Sequence, residues 1–99
     1  MARFDVHRNA AGEGYLLDVQ SDLLAGLNTR VVAPLIPVAL APRPAARLNP
    51  VLQFDGDAVV MVTQFLAAVP QKELGRSLGS LEACGDDISA ALDMLFFGF

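Results

Sequence analysis

The chain has 99 residues, enough for one domain, and a domain of that size buries only about 60–68% of the surface its unfolded form would expose, so a second lobe is excluded. Apolar residues make up 54% of it, more than so small a monomer can hide, and the surplus predicts a contact with another molecule, most simply a second copy in a homodimer. The net charge of −4 with seven scattered basic residues excludes a direct grip on nucleic-acid phosphates, and a single cysteine and single histidine exclude an internal disulfide, a CxxC pair and a His/Cys zinc centre.

The N-terminus, Met1-Ala2-Arg3-Phe4-Asp5, has no apolar signal core, and no later stretch reaches about 18 uninterrupted apolar residues. A cytoplasmic protein with no membrane contact is expected, folded as a single domain over residues 1–99. Phe4 and Val6 alternate with Arg3, Asp5 and His7. After the turn-forming Ala10-Ala11-Gly12-Glu13-Gly14, Tyr15, Leu16, Leu17, Asp18 and Val19 resume, which predicts two antiparallel strands. Gln20-Ser21-Asp22, Leu23-Leu24, Gly26 and Asn28 read as a loop before Val31-Val32 opens a third strand, where Pro34 argues for an edge or a bulge.

From Ile36 to Pro50 the chain holds Pro37, Pro42, Pro44 and Pro50 with Arg43 and Arg47, which predicts an exposed connection. Val51 to Phe54 and Ala58 to Gln64 flank Asp55-Gly56-Asp57, a hairpin signature. Phe65 to Leu78 reads as irregular with short strand pieces and one helical turn at Gln71-Lys72-Glu73-Leu74. At the end, Ile88, Ala91, Leu92, Leu95 and Phe96 repeat at helical spacing behind Asp86 and Asp87, which favour a helix N-terminus. Short strands followed by one C-terminal helix predict a mainly β fold, a small, partly closed barrel or sandwich capped by that helix.

Three residues invite functional readings. Cys84 is read as a half-buried packing residue rather than a reactive thiol. His7, beside Arg8, has the chemistry of a ribonuclease general acid or base, but a lone histidine on an alternating strand is read as a surface residue. A helical wheel at about 100° per residue puts Phe97 opposite the apolar stripe, near Asp93 and Ala90, so that it faces solvent. If the helix instead frays after Phe96, Phe97 and Phe99 fold back onto the core or a dimer seam; composition leaves both arrangements open.

The ending Leu95-Phe96-Phe97-Gly98-Phe99 resembles the aromatic-Gly-aliphatic tail of CcdB-type toxins. Leu17-Asp18-Val19-Gln20-Ser21-Asp22, Val31-Val32-Ala33-Pro34-Leu35, Leu48-Asn49-Pro50-Val51, Ala67-Ala68-Val69-Pro70 and Asp87-Ile88 fall in that family's order and spacing, with small gaps in the first hairpin and the proline-rich loop. The resemblance implies an SH3-like, partly open β-barrel of the CcdB/MazF-type toxin fold, and a symmetric homodimer with both tails at its centre. It also implies a non-enzymatic toxin that binds the A subunit of DNA gyrase and traps the cleaved-DNA intermediate, with no cofactor and no metal. A CcdA-like antitoxin would neutralise it through a disordered C-terminal segment and would itself carry the DNA contact in repressing the operon. Carried onto this chain, the gyrase-facing positions are Ser21, Leu23 and Leu24 in the loop and Asp93, Phe96, Phe97, Gly98 and Phe99 on the helix and tail.

Three of these positions depart from the family pattern, with Phe97 in place of a tryptophan, Phe99 in place of an isoleucine and Asp93 in place of an asparagine. Phenylalanine keeps an aromatic face but loses area and the indole N–H donor. Two other readings stand beside gyrase poisoning: a non-toxic homologue acting as an antitoxin-binding co-repressor, and a ribonuclease toxin on the same scaffold, for which this acidic chain offers only His7, Arg8 and scattered arginines.

Overall fold

The computed structural model describes residues 2–99. Along the chain come β1 (Asp5–Arg8), β2 (Tyr15–Asp18), β3 (Thr29–Pro37), β4 (Val51–Phe54), β5 (Asp57–Met61), β6 (Ala67–Pro70), β7 (Gly79–Ser80) and the helix α1 (Gly85–Phe97). The strands pair antiparallel in the order β4-β5-β3-β2-β1-β7, and β6 joins β3 alongside β5. The result is a mostly β, curled half-barrel sheet with a single C-terminal α-helix, as the sequence predicted.

Local chemistry explains the two hairpins. Asp55 and Gly56 both adopt positive φ, 51° and 82°, as a two-residue type I′ turn requires, and Phe54 pairs with Asp57 across it. Between β1 and β2 the longer loop ends at Gly14, whose φ of 87° comes with a backbone so close to β3 that a Cβ would lie 2.1 Å from the Leu35 carbonyl oxygen. Only glycine fits there.

Pro34 does not mark an edge. It lies in β3, which pairs with β2 on one side and with both β5 and β6 on the other, the most central position in the sheet. Its carbonyl accepts from the Val62 N–H at 2.9 Å, so its imide nitrogen, on the same side of the strand, faces the gap between β5 and β6. There the neighbouring segment leaves the ladder through a 3-10 turn at Thr63–Phe65. No donor is required at that point, and the proline costs no ladder bond.

The third strand also starts earlier than predicted, at Thr29, and takes in Ile36 and Pro37, so the exposed connection begins after Pro37. That connection is pinned at its far end. Asn49, buried, accepts the Ala45 N–H through Oδ1 at 3.0 Å and donates through Nδ2 to the Met61 carbonyl at 3.1 Å. Within Phe65 to Leu78, β6 and a 3-10 turn at Gln71–Glu73 form, close to the strand pieces and helical turn expected.

The registers sort the sheet's side chains onto two faces. Val6, Leu17, Ala33, Leu35, Val59 and Met61 share the inner face and pack with Leu81, Ile88 and Ala91 in one core. Cys84 is half-buried at the rim of this core, in the packing role expected. The opposite face is buried too, at His7, Asp18, Arg30, Val32 and Val60. His7 is therefore not the surface residue predicted. The segment leading into β7 runs beside β1, the Leu78 N–H bonding the Val6 carbonyl at 2.7 Å, and the buried imidazole has Nδ1 2.9 Å from the Gly75 carbonyl oxygen. Because a carbonyl only accepts, Nδ1 carries the proton.

Candidate target-binding surface

Helix α1 begins with Asp86 and Asp87 in its first turn, where carboxylates favour the exposed N–H groups and the positive end of the helix dipole. Ile88 and Ala91 are buried, and Leu92 and Leu95 are half-buried. Phe96, which the periodicity assigned to the core stripe, stays 64% exposed. The helix does not fray after Phe96. It runs to Phe97 and closes at Gly98, whose φ of 79° lets its N–H bond the Met94 carbonyl at 3.1 Å. Beyond that turn Phe99 comes back beside Phe97, ring centroids 6.3 Å apart, and both rings remain in solvent, 67% and 76% exposed. Asp93 is exposed one helical turn before Phe97 on the same side of α1.

The loop after β2 has a polar, buried root. Arg30 grips Asp18 bidentately, Nε to Oδ2 at 2.7 Å and Nη2 to Oδ1 at 2.9 Å, with Arg30 only 1% exposed. The register explains the pairing. Asp18 lies opposite Val32, which makes Arg30 its diagonal neighbour on the same face. Asp18 Oδ1 also accepts the Gln20 N–H at 3.0 Å, and the Gln20 side chain accepts from the Val31 N–H at 3.0 Å and donates to the Leu24 carbonyl at 3.2 Å. From that root the chain enters a 3-10 turn, Asp22–Leu24, where Ser21 Oγ accepts the Leu23 N–H at 3.2 Å. Leu23 points outward, 95% exposed.

Loop and helix meet. Ser21 and Leu24 from the loop face Leu92 and Phe96 from α1 across a largely apolar groove of about 390 Å³, which Leu27 and Leu66 also line. Of the predicted site residues, Ser21, Leu24 and Phe96 share this groove; Leu23 projects from the loop, and Phe97 and Phe99 form the tilted pair at the end of the helix. Leu27 and Leu66 escaped the sequence reading, since Leu66 lies in a stretch read as irregular. The Asp18–Arg30–Gln20 root escaped it too, because nothing in the local pattern tells a buried arginine from a solvated one. A larger recess of about 730 Å³ lies between the start of β3 and the 3-10 turn at Gln71–Glu73, lined by residues such as Asn28, Gln71 and Lys72. The smaller groove is the candidate contact surface, because the exposed Leu24 and Phe96 converge there with the half-buried Leu92 and Leu66.

This surface offers aromatic and aliphatic contact. Among the described residues no cluster of three His, Cys, Asp or Glu side chains has a metal-binding arrangement, and no helix is long and apolar enough to cross a membrane. A protein-family model described as CcdB protein matches residues 3–98. Among solved structures, an endoribonuclease in complex with its cognate antitoxin, from a mycobacterial species, superposes with a TM-score of 0.75 over 95% of this chain and 92% of that one, at 18% sequence identity. At that identity the likeness is one of fold.

Proposed function

This chain belongs to the CcdB protein family, and from that premise we propose that it is the toxin of a toxin–antitoxin pair, a cytoplasmic, homodimeric, non-enzymatic protein that binds the A subunit of DNA gyrase and traps the gyrase–DNA cleavage complex. A CcdA-like antitoxin binds and neutralises it. The observation that carries this reading is the exposure of Leu23, Phe96, Phe97 and Phe99 on a hydrogen-bonded loop and a capped helix, the arrangement of a hydrophobic anchor made for another protein's interface.

The location of His7 favours this reading over a ribonuclease. Its ring is fully buried, with one nitrogen committed to the Gly75 carbonyl, so it is out of reach of an RNA phosphodiester. The experiment is a paired assay on purified protein, calorimetric binding to the dimerisation region of gyrase A with a DNA-cleavage readout, alongside incubation with total RNA. Gyrase binding with stabilised cleavage and intact RNA supports the proposal. Degraded RNA without gyrase binding overturns it.

A further inference from the structure

Residues 2–5 form a bracket whose role the target-facing residues do not account for. Phe4 holds a positive φ of 75°, a conformation that bulky L-residues adopt only when the surroundings impose it. The surroundings here are specific. Its N–H bonds the Asp18 carbonyl at 2.7 Å, its carbonyl accepts the Leu81 N–H at 2.9 Å, and its ring lies against Gly85, where a Cβ would sit 3.3 Å from the ring. The Arg3 guanidinium stands 4.8 Å over the same ring, and the Arg3 backbone N–H donates to Asp22 Oδ1 at 2.8 Å. The bracket thus touches the end of β2, the start of α1 and, through one carboxylate, the loop that carries Leu23.

We propose that Asp22 is a positioning residue: its carboxylate latches the Ser21–Leu24 turn to the Arg3 backbone and so holds Leu23 and Leu24 in register with the helix-borne phenylalanines. The root at Asp18, Gln20 and Arg30 fixes where the loop leaves the sheet. The Asp22 latch ties the first residue of the turn to the N-terminal segment, an attachment separate from the sheet for a turn whose apolar side chains face solvent. The positive φ at Phe4 accompanies this arrangement, with the Arg3 N–H bonded to the loop and the Phe4 ring against Gly85 at the start of α1. The proposal rests on the reading of this loop as target-facing.

The test compares Asp22→Ala and Asp22→Asn, with Arg3→Ala as the control that keeps the backbone donor. Amide hydrogen exchange is followed at Arg3, Leu23 and Leu24, and binding to the gyrase A dimerisation region is measured by calorimetry. Loss of one net hydrogen bond predicts roughly fivefold faster exchange at these amides in Asp22→Ala and roughly fivefold weaker binding. Asp22→Asn retains an acceptor oxygen and should restore most of both, while Arg3→Ala, which keeps the backbone donor, should raise exchange at Leu23 and Leu24 less than Asp22→Ala does. Unchanged exchange in Asp22→Ala overturns the latch. Equal loss of binding in the alanine and asparagine variants, with Arg3 still protected in the latter, overturns it in favour of a direct contact between the carboxylate and the partner. If the parent chain does not bind gyrase at all, the target reading falls separately. The exchange data then still decide the latch, faster exchange at Leu23 and Leu24 supporting it and none overturning it.

Discussion

Phe97 and Arg30 mark opposite ways in which one side chain can matter to this protein. Phe97 contributes little to the core because two-thirds of its surface is already in water. Phe97→Ala should therefore melt with the parent while losing about 2 kcal/mol or more of the proposed gyrase binding, roughly thirtyfold in affinity, as expected of an aromatic hot spot. Thermal melting beside a DNA-cleavage assay checks both halves; normal melting with intact poisoning would move the contact away from the tail. Arg30 is the reverse. Arg30→Ala strands the Asp18 carboxylate in the interior and should cost about 3–5 kcal/mol in a denaturant titration. The double variant Asp18→Leu/Arg30→Met should recover much of that loss, because no charge is then left buried alone. A double variant as unstable as the single one would mean that the pair stabilises the fold by more than its own compensation.

At the scale of elements, α1 divides between a buried stripe and an exposed tip. Ile88→Ala should lower stability by about 2–5 kcal/mol through a cavity in the core, with binding reduced only in proportion to the unfolded fraction. Binding lost at temperatures where the variant remains folded would contradict that division. The helix and the Asp55-Gly56 hairpin were legible because their signals are local: a 3.6-residue period for one, a pair of residues tolerant of positive φ for the other. The central place of β3 was not legible. Pro34 reads as the mark of an edge or a bulge until it is known that the opposing segment detours through Thr63–Phe65 at that very point, a fact of long-range pairing. The burial of His7 was not legible for a related reason, since alternation predicts one solvated face, whereas His7 is buried against Gly75, distant in sequence. The loop and the tail were each visible in the sequence, but their convergence across one groove depends on a topology that no local pattern encodes. That convergence added Leu27 and Leu66 to the surface.

For the whole molecule, the apolar surplus of the composition survives folding as exposed Leu23, Phe65, Phe96, Phe97 and Phe99. A second copy is the simplest cover for part of it, and light scattering at micromolar concentration should return twice the 10.5 kDa chain mass. A stable 10.5 kDa particle would remove the dimer from the proposal. The buried Asp18–Arg30 pair carries a further consequence, for ionic strength. Charges in contact with water are screened at about 1 M salt, where the Debye length is only about 3 Å, but a pair sealed between two strands is not, so the loop should keep its shape there. Apolar contact is not weakened by added sodium chloride in the way surface ion pairs are. Affinity for the target, plotted against salt from dilute buffer to about 1 M, should therefore be nearly flat. A steep decline would show that the partner is held by charge, and that the phenylalanines only accompany it.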